Sequence, residues 1–441
     1  MNIFPEFKNK KIVIWGFGIH GNGPAAVKFF SQNSANILVT DLKTKAELTD
    51  SLNGIKDIPN VEYVLGEHRE SDFINADMVF RSPAIPKEVP LFKFIKDYEI
   101  EIQMAEGFFL KYSKTKNVIG VTGTKGKTTT STLLTEVIRD QGLNVYQAGT
   151  PGNSAMDLVT KVTPTDWVVL EISSWDCEGL DENKVSPHVG IITNISHDHL
   201  NRYASYKDYA MSKVSIFKYQ NLDDFFVTIK DGEFTKDFLD ISKSKNILID
   251  TNSQEYDFSS AHLKGEHNVR NMALCFEVAK VLGFDLQKTK KAILNFRGVP
   301  YRQEELGEIN GVLFVNDSAA TAPVAAISGI KTYLDKSPVV ILGGADKKLD
   351  YSGLVNYVLE TKVDYLLLKG TATDIYVNLG LDASKVYDDF ETAIRCAFNI
   401  AKNKNGVVLL SPGTASFGMF KNEFDRGDKF NLIFNELKNE N

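Results

Sequence analysis

The sequence predicts an α/β protein of three domains with mostly parallel sheets. Short apolar runs alternate with segments of helical apolar spacing along all 441 residues, which is typical of parallel strands joined by helices. Two of the runs end in glycine-rich loops that lead directly into helical patterns. The pattern breaks near residue 93 and again at residues 296–300, so we expect domains over 1–93, 94–298 and 299–441.

The composition favours an enzyme of a reducing compartment. A net charge of −7 argues against binding to nucleic acid. The three cysteines are scattered, which predicts neither a disulfide framework nor a zinc site. The first residues, MNIFPEFKNKK, lack the apolar segment of a signal peptide, and no apolar run is long enough to span a bilayer. We therefore expect a cytoplasmic protein that does not insert into membranes. We also expect a monomer, although none of these observations bears on the oligomeric state.

The first domain carries the signature of a Rossmann-like fold. A predicted strand, Lys11–Trp15, leads into Gly16–Gly21, a literal G-x-G-x-x-G loop. The next predicted strand ends in Asp41, about where dinucleotide-binding folds place a ribose-binding carboxylate. A third ends in Ser82, whose turn can offer hydroxyl and backbone donors to a ligand. The loop suits any pyrophosphate, and taken alone it would also suit an NAD-dependent dehydrogenase.

The central domain opens on Asn117–Ser131, which has the parts of a phosphate-binding loop. An apolar strand ends in glycines, Lys127 and successive threonines, and a helical pattern follows at once. In such a loop the backbone N–H groups and the helix N-terminus bind phosphates, the lysine contacts the terminal phosphates and a hydroxyl reaches Mg²⁺. The glycine spacing departs by one residue from G-x-x-x-x-G-K-[ST], so this is a variant P-loop. The alternative is a glycine turn that only joins strand to helix.

Further strands and one long helix complete the prediction. The helical pattern covers residues 91–110. The predicted strands are 11–15, 36–40 and 77–81 in the first domain, 118–121, 144–147, 167–172, 189–193, 225–229 and 246–249 in the second, and 312–315, 339–342, 365–369 and 407–410 in the third.

Polar residues follow several of these strands. Glu171 ends one of them and could hold a metal or its water, or else simply face solvent. His197 and His199 flank an aspartate beyond another strand, which is unusual for a loop without a function. Lys213, in a predicted helix, would be a plain surface lysine from its pattern alone. Asn268 and Asn271 share a helix face, where their amides can recognise a base edge or cap the helix.

Nine segments, in this order and over nearly the full length, resemble the Mur ligases, ATP-dependent amide-forming enzymes of peptidoglycan precursor assembly. The segments are TGTKGKTTT (122–130), GNSA (152–155), LEISSW (170–175), NISHDHLNRY (194–203), GEHNVRN (265–271), YRQEE (301–305), NDSAAT (316–321), LGGADKK (342–348) and SPGTASFGMFKNEFDRG (411–427).

The resemblance implies a ligase that adds glutamate, expected to be the D isomer, to UDP-N-acetylmuramoyl-L-alanine through an acyl phosphate, with ATP and Mg²⁺. It implies one domain for UDP, one for ATP and one for the amino acid. The implied ATP-binding residues are Gly123, Thr124, Lys125, Gly126, Lys127, Thr128, Thr129, Asn268, Asn271, Arg302 and Asp317.

The resemblance also assigns the remaining site residues. The catalytic and metal-holding residues would be Lys127, Thr128, Glu171, His199 and, if carbamylated by CO₂, Lys213. The UDP substrate would contact Gly16, Gly18, Ile19, His20, Gly21, Asp41, Ser82 and Asn153. The incoming amino acid would contact Thr321, Lys347, Ser416 and Phe417.

Some positions depart from the family pattern and leave the amino acid open. Ala319 stands where the family has a lysine near the glutamate carboxylates. The other departures are Trp175-Asp176 for Phe-Gln, the reversed order Glu423-Phe424, and Lys125 for asparagine. The alternatives are a related ligase adding L-glutamate or another amino acid, an NAD-dependent dehydrogenase, and a non-catalytic nucleotide-binding protein.

Overall fold

A computed structural model of the chain describes residues 4–19, 21–150, 152–196, 202–251, 253–263, 265–347 and 349–440. The chain forms two compact units, Met1–Phe296 and Arg297–Asn441. The first contains two parallel sheets and the second contains one mostly parallel sheet. The fold is therefore α/β, with three Rossmann-like sheets. In the part of the chain that the structure describes, no helix is both long enough and apolar enough to cross a membrane.

The first sheet has five parallel strands in the order β3-β2-β1-β4-β5. Its strands are β1 (Lys11–Trp15), β2 (Asn36–Asp41), β3 (Val61–Leu65), β4 (Met78–Arg81) and β5 (Glu101–Gln103). The helices of this region are α1 (Asn22–Gln32), α2 (Thr49–Asn53), α3 (Glu70–Phe73), α4 (Pro90–Asp97) and α5 (Ala105–Tyr112). The order places the carboxyl ends of β1 and β4 side by side, so the loops after them meet at one edge.

The second sheet has six parallel strands in the order β11-β10-β9-β6-β8-β7. They are β6 (Val118–Thr122), β7 (Val145–Ala148), β8 (Trp167–Glu171), β9 (Val189–Ile192), β10 (Phe225–Ile229) and β11 (Lys245–Ile249). The helices are α6 (Lys127–Asp140), α7 (Cys177–Asn183), α8 (Tyr206–Met211), α9 (Thr235–Ile241), α10 (Glu266–Val281) and α11 (Leu286–Asn295). β6 is central and entirely buried, and its neighbours are β8 and β9.

A continuous apolar core joins the first two sheets. Buried phenylalanines of α1 and α5 stack edge to face, with 5.2 Å between the ring centroids of Phe29 and Phe108. The same cluster of buried residues continues through Leu170 and Ile172 at the end of β8 and Cys177 and Leu180 in α7. The loops of both sheets are therefore held in one body.

The second unit is a single six-stranded sheet in the order β12-β13-β17-β14-β15-β16. Its strands are β12 (Glu304–Ile309), β13 (Val312–Asn316), β14 (Pro338–Gly343), β15 (Asp364–Leu368), β16 (Val386–Tyr387) and β17 (Val407–Leu410). The helices are α12 (Pro323–Tyr333), α13 (Ser352–Thr361), α14 (Thr371–Asn378), α15 (Phe390–Lys402) and α16 (Glu423–Glu440). Only β12 runs antiparallel, and its pairing with β13 contains a bulge between Glu305 and Gly307.

The predicted strands are confirmed, but the predicted continuous helix over residues 91–110 is wrong. Between α4 and α5 the chain forms β5, whose Ile102 is buried and which pairs with β4. The sequence prediction also missed β3, β12 and β16. All four missed strands lie at sheet edges. An edge strand needs less apolar sequence because one side meets no neighbour, and the pattern of β12, EELGEI, is accordingly weak.

Candidate active site

The predicted phosphate-binding loop joins the central strand of the second sheet to the helix that follows it. β6 ends at Thr122 and α6 begins at Lys127. Gly126, immediately before the helix, has a φ of 82°, in the left-handed region that glycine adopts without strain. No side chain of the described residues caps this N-terminus. Its N–H groups and the helix dipole therefore favour an anion here.

The two predicted asparagines lie against this loop. A Cβ at Gly126 would come within 2.5 Å of Oδ1 of Asn271, so the first turns of α10 contact the loop directly. The amide of Asn271 donates to Oδ1 of Asn268 over 3.4 Å, which confirms that they share a face. Asn271 is buried and Asn268 is half-buried. This pair of amides is placed where it can contact a nucleotide bound at the loop.

The loop is anchored by the segment that follows β9. The Thr124 amide donates to the Asn194 carbonyl over 2.9 Å, and the Lys125 amide donates to Oδ1 of the same asparagine over 3.1 Å. The Lys127 ammonium donates to the carbonyls of Gly123 and Thr124, each over 3.0 Å. The loop thus keeps a fixed shape, with a cation directly on it.

A carboxylate from the neighbouring strand meets the loop helix. The hydroxyl of Thr128 donates to Oε1 of Glu171, at the end of β8, over 3.1 Å. Hydroxyl and carboxylate oxygens are ligands that Mg²⁺ prefers, so this pair fits a magnesium ion. No cluster of three or more histidine, cysteine, aspartate and glutamate side chains occurs among the described residues. Phosphate and water oxygens can contribute to the coordination, as is usual for Mg²⁺. The predicted His197 and His199 lie outside the described residues.

Lys213 is not the surface residue that its sequence pattern predicts. Only 1% of it is exposed, and it precedes the short 3-10 helix Val214–Ile216 rather than lying within a helix. Its Nζ lies 4.5 Å from the centroid of the Tyr209 ring. The Tyr209 hydroxyl is in turn 3.1 Å from Oγ1 of Thr124 in the phosphate-binding loop. The lysine is therefore buried one aromatic residue away from the loop.

The glycine loop of the first sheet is held by the predicted carboxylate. Oδ2 of Asp41 accepts from the Gly18 amide over 2.9 Å, and Oδ1 accepts from the Lys43 amide over 2.8 Å. Asp41 is buried, so in this conformation it fixes the loop rather than offering its oxygens to solvent. Ile19, at the tip, is 51% exposed. His20 lies outside the described residues.

Ser82 and Asn153 lie on either side of this loop. A Cβ at Gly16 would come within 2.8 Å of the Ser82 Cβ, so the turn after β4 packs directly on the loop after β1. On the other side, a Cβ at Gly21 would lie 3.8 Å from the Cα of Gly152 in the central sheet's loop. Asn153 is exposed next to it. Of the residues predicted to contact the UDP substrate, those that the structure describes thus lie around one loop.

In the second unit, Arg302 and Asp317 are neighbours. Tyr301 and Gln303, which flank Arg302, have φ values of 64° and 47°, an uncommon conformation for these residue types. The Gln303 amide donates to Oδ1 of Asp317 over 3.2 Å, and the Ser411 hydroxyl donates to Oδ2 over 2.7 Å. Burial raises the pKa of Asp317 to about 7 against these two hydrogen bonds and the Arg302 charge, which lower it.

The four predicted amino-acid contacts lie at the carboxyl edge of the same sheet. Nζ of Lys347 donates to the Thr321 hydroxyl over 2.9 Å. The loops after β14 and β17 are joined by a bridge between Ala345 and Ala415. Ser416 is buried next to this bridge, whereas Phe417 is 57% exposed. One edge of this sheet thus carries a lysine, two hydroxyl groups and an aromatic ring.

Sequence reasoning missed two groups of buried charges. Glu178 of α7 pairs with two arginines, Arg81 at the end of β4 and Arg202 in the segment between β9 and α8. Glu106 and Asp176 are hydrogen-bonded to each other, and burial raises the pKa of both carboxyls. The only available signal for the first group was an arginine at the end of an apolar strand, MVFR. For the second group the signal was Asp176, which stands where the family has a glutamine.

The chain matches two family models and several curated proteins. One model, the Mur ligase middle domain, matches residues 121–255, and the other, the Mur ligase MurD-like N-terminal domain, matches residues 10–104. A UDP-N-acetylmuramoylalanine–D-glutamate ligase of Roseiflexus sp. (strain RS-1) is 33% identical over 97% of this chain and 99% of its own. A ligase of the same name from Clostridioides difficile (strain 630) is 31% identical, and the match covers 98% of this chain and 100% of that protein.

Solved structures share the fold. The UDP-N-acetylmuramate-alanine ligase MurC of Thermotoga maritima has a TM-score of 0.56 at 17% identity, covering 97% of this chain and 99% of that one. The MurF ligase of Thermotoga maritima in complex with ADP has a TM-score of 0.51 at 17% identity, covering 98% and 96%.

Proposed function

The chain belongs to the Mur ligase family, and on that premise we propose that it joins D-glutamate to UDP-N-acetylmuramoyl-L-alanine. The reaction consumes ATP, passes through an acyl phosphate and serves peptidoglycan precursor synthesis in the cytoplasm. The observation that carries the proposal is the assembly of Lys127, Thr128 and Glu171 in the same compact unit as the glycine loop at Gly16–Gly21. One compact unit thus holds both a phosphate site and a second nucleotide site. This suits a substrate in which the acid that ATP activates is attached to a nucleotide.

The phosphate-binding loop and the residues next to it bind the ATP phosphates. The α6 N-terminus and Lys127 neutralise phosphate oxygens, so that charge moving from the terminal phosphate to the leaving group is stabilised. Asn268 and Asn271 lie against the loop and would contact the adenosine. Because these groups are held in place before ATP arrives, alignment needs little rearrangement.

Thr128 and Glu171 would hold Mg²⁺, with His199 as a further ligand. When bound, the ion supplies charge neutralisation between phosphate oxygens and the acceptor carboxylate. Lys213 would enter this group once carbamylated, since the modification turns a buried cation into an oxygen-bearing anion. Its burial supports the assignment, because an unmodified ammonium in such a place has lost most of its hydration.

The amino acid would be received by the second unit. Lys347, Thr321, Ser416 and Phe417 provide a cation, hydroxyls and an aromatic wall at one sheet edge. The amine of glutamate attacks the acyl phosphate, and phosphate leaves. Asp317 follows β13 in the same sheet, and Arg302 lies near it. These two residues would contact the ribose of ATP.

Three domains fit these tasks: residues 1–93 for UDP, 94–298 for ATP and 299–441 for the amino acid. The pairing of β5 with β4 in the first sheet supports extending the first of these domains to Gln103. We further propose that the protein acts as a monomer.

The proposal is tested by a panel of amino acids assayed for phosphate release with ATP, Mg²⁺ and UDP-N-acetylmuramoyl-L-alanine. We expect release with D-glutamate and little with L-glutamate, meso-diaminopimelate or D-alanine. Preference for another amino acid would overturn the substrate assignment, and Ala319 makes that outcome worth including. Absence of release with any of them, together with a change in nicotinamide absorbance when NAD is supplied, would overturn the ligase assignment.

A further inference from the structure

Two arginines from different parts of the first unit meet on one carboxylate beside the predicted UDP site. Arg81 ends β4 in the first sheet, and Glu178 lies in the first turn of α7, which follows β8 in the second sheet. Arg202 comes from the segment between β9 and α8. The three side chains are buried or nearly so, with 0%, 15% and 12% exposed.

Arg81 is anchored on both sides of its guanidinium. Nη2 donates to Oε2 of Glu178 over 2.5 Å, and Nη1 donates to the Ile85 carbonyl over 2.6 Å. The guanidinium also lies 5.2 Å from the Phe92 ring centroid. Arg81 therefore fixes the far end of the turn Ser82–Ile85 to a carboxylate of the second sheet's helix.

Arg202 holds the middle of the same turn. Nη1 donates to the Pro83 carbonyl over 3.2 Å, and Nη2 lies 3.5 Å from Oε1 of Glu178. The guanidinium stacks 4.5 Å from the Trp175 ring centroid, which restricts its orientation. One carboxylate thus directs two guanidinium groups, and each of them holds a different carbonyl of the turn.

The turn that these arginines hold is the one that packs on the glycine loop. The Ser82 amide donates to the Trp15 carbonyl over 2.8 Å, and the Ser82 side chain leaves room only for a glycine at position 16. A displacement of the turn would therefore move the glycine loop as well. The three charged side chains carry one excess positive charge, which favours an anion such as a diphosphate at the turn above them.

We propose that Arg81, Glu178 and Arg202 form a positioning network that fixes the turn Ser82–Ile85 relative to the central sheet. The network determines how well the UDP end of the substrate binds while its carboxylate reaches the ATP phosphates. This inference rests on the proposed function. A buried ion pair adds little net stability compared with apolar residues, but it fixes geometry, which is the property this place requires.

The test replaces Glu178 by glutamine and compares steady-state kinetics of the full-length protein. The side chain keeps its shape but loses the charge that directs both arginines. We expect kcat/KM for UDP-N-acetylmuramoyl-L-alanine to fall about tenfold to a hundredfold, as for loss of charged hydrogen bonds, mainly through KM. KM for ATP and for glutamate should stay unchanged. Glu178→Asp should recover part of the loss.

Glu182→Gln is the matched control. Glu182 lies one turn further along α7 and pairs with Lys96 of α4, so it also links the two sheets, but it does not touch the turn. We expect wild-type KM values for this variant. If Glu178→Gln lowers kcat and thermal stability with all KM values unchanged, or if it behaves like Glu182→Gln, the positioning role is refuted.

Arg202→Lys provides a second variant in case Glu178→Gln does not fold. It retains the charge of a partly exposed residue but loses the paired contact with Pro83 and Glu178. A wild-type KM for the UDP substrate in this variant would also refute the network. Failure of the proposed function is distinguished by the wild-type protein, which would then release no phosphate with any amino acid.

Discussion

Thr128 donates its hydroxyl hydrogen to Glu171, so the first turn of α6 and the end of the neighbouring strand β8 present oxygen atoms 3.1 Å apart. Glutamine in place of Glu171 would keep the hydrogen bond from Thr128 but remove the charge that attracts a cation. We expect Glu171→Gln to lower kcat at limiting Mg²⁺ and to raise the Mg²⁺ concentration for half-maximal activity severalfold. A titration of phosphate release against Mg²⁺ measures both. Glu136→Gln, on the exposed side of α6, is the control. An unchanged Mg²⁺ requirement would contradict the metal assignment.

Replacing Lys127 by alanine should abolish turnover without abolishing binding of the UDP substrate. The Lys127 ammonium is held on the phosphate-binding loop by two of its carbonyls, whereas the glycine loop belongs to the first sheet. Phosphate release measures the loss, and calorimetry with UDP-N-acetylmuramoyl-L-alanine measures the binding that remains. Lys116→Ala, at the opposite end of β6, should behave as wild type. Unchanged ligation in Lys127→Ala would refute the assignment of the loop to ATP.

Asp176→Asn should stabilise the protein, and more so at alkaline pH. Burial raises the pKa of Glu106 and of Asp176, so the folded protein holds protons that the unfolded chain releases. Stability from this pair is therefore lost as pH rises above the usual carboxyl range. An asparagine would still accept from the Ser173 amide, as Oδ2 now does over 3.0 Å, and could donate to Glu106.

We expect a gain of about 1–3 kcal/mol in the free energy of unfolding at pH 8, the size of the penalty for a badly satisfied buried polar group. The gain should be smaller at pH 5. Denaturant unfolding of both proteins at the two pH values measures it, and Glu106→Gln should act in the same direction. An equal gain at both pH values would show that no proton is retained by the pair.

Asp317→Asn should flatten the pH dependence of stability. With its pKa raised to about 7 by burial, Asp317 binds a proton in the folded state at pH values where the unfolded carboxyl is ionised. The contribution of Asp317 to the free energy of unfolding therefore falls as pH rises from about 4 to about 7. The fall is roughly 1.4 kcal/mol for each unit of pKa shift. Thermal unfolding followed by circular dichroism from pH 4.5 to pH 8 measures the slope. An unchanged slope in the variant would refute the raised pKa.

The sequence allowed the sheet interiors and the loops at their carboxyl edges to be predicted. Central strands such as β6 are buried on both faces, so their apolar runs are unmistakable. The loops after them carry the glycines and polar residues, which explains why Gly126 and Glu171 could be placed near one another. Asn271 lies within a helix, and only the family resemblance assigned it to the ATP site. The edge strands β3, β5, β12 and β16 were missed because exposure on one side relaxes the apolar pattern.

Contacts between distant segments could not be predicted. Lys213 is polar and sits among residues of mixed character, and only the fold shows that Tyr209 and the core enclose it. Arg81 and Glu178 are 97 residues apart, and no local period connects them. Such pairs depend on how α7 packs against the first sheet, which a single sequence does not encode in its spacing.

The division of the chain at residues 296 and 297 also leaves every tryptophan in one of the two bodies. All three tryptophans, Trp15, Trp167 and Trp175, precede that point, so indole emission reports on one body alone. The ellipticity of the peptide bonds, by contrast, reports on both bodies. Recording the two signals together therefore compares the melting of the first body with that of the whole chain without any label.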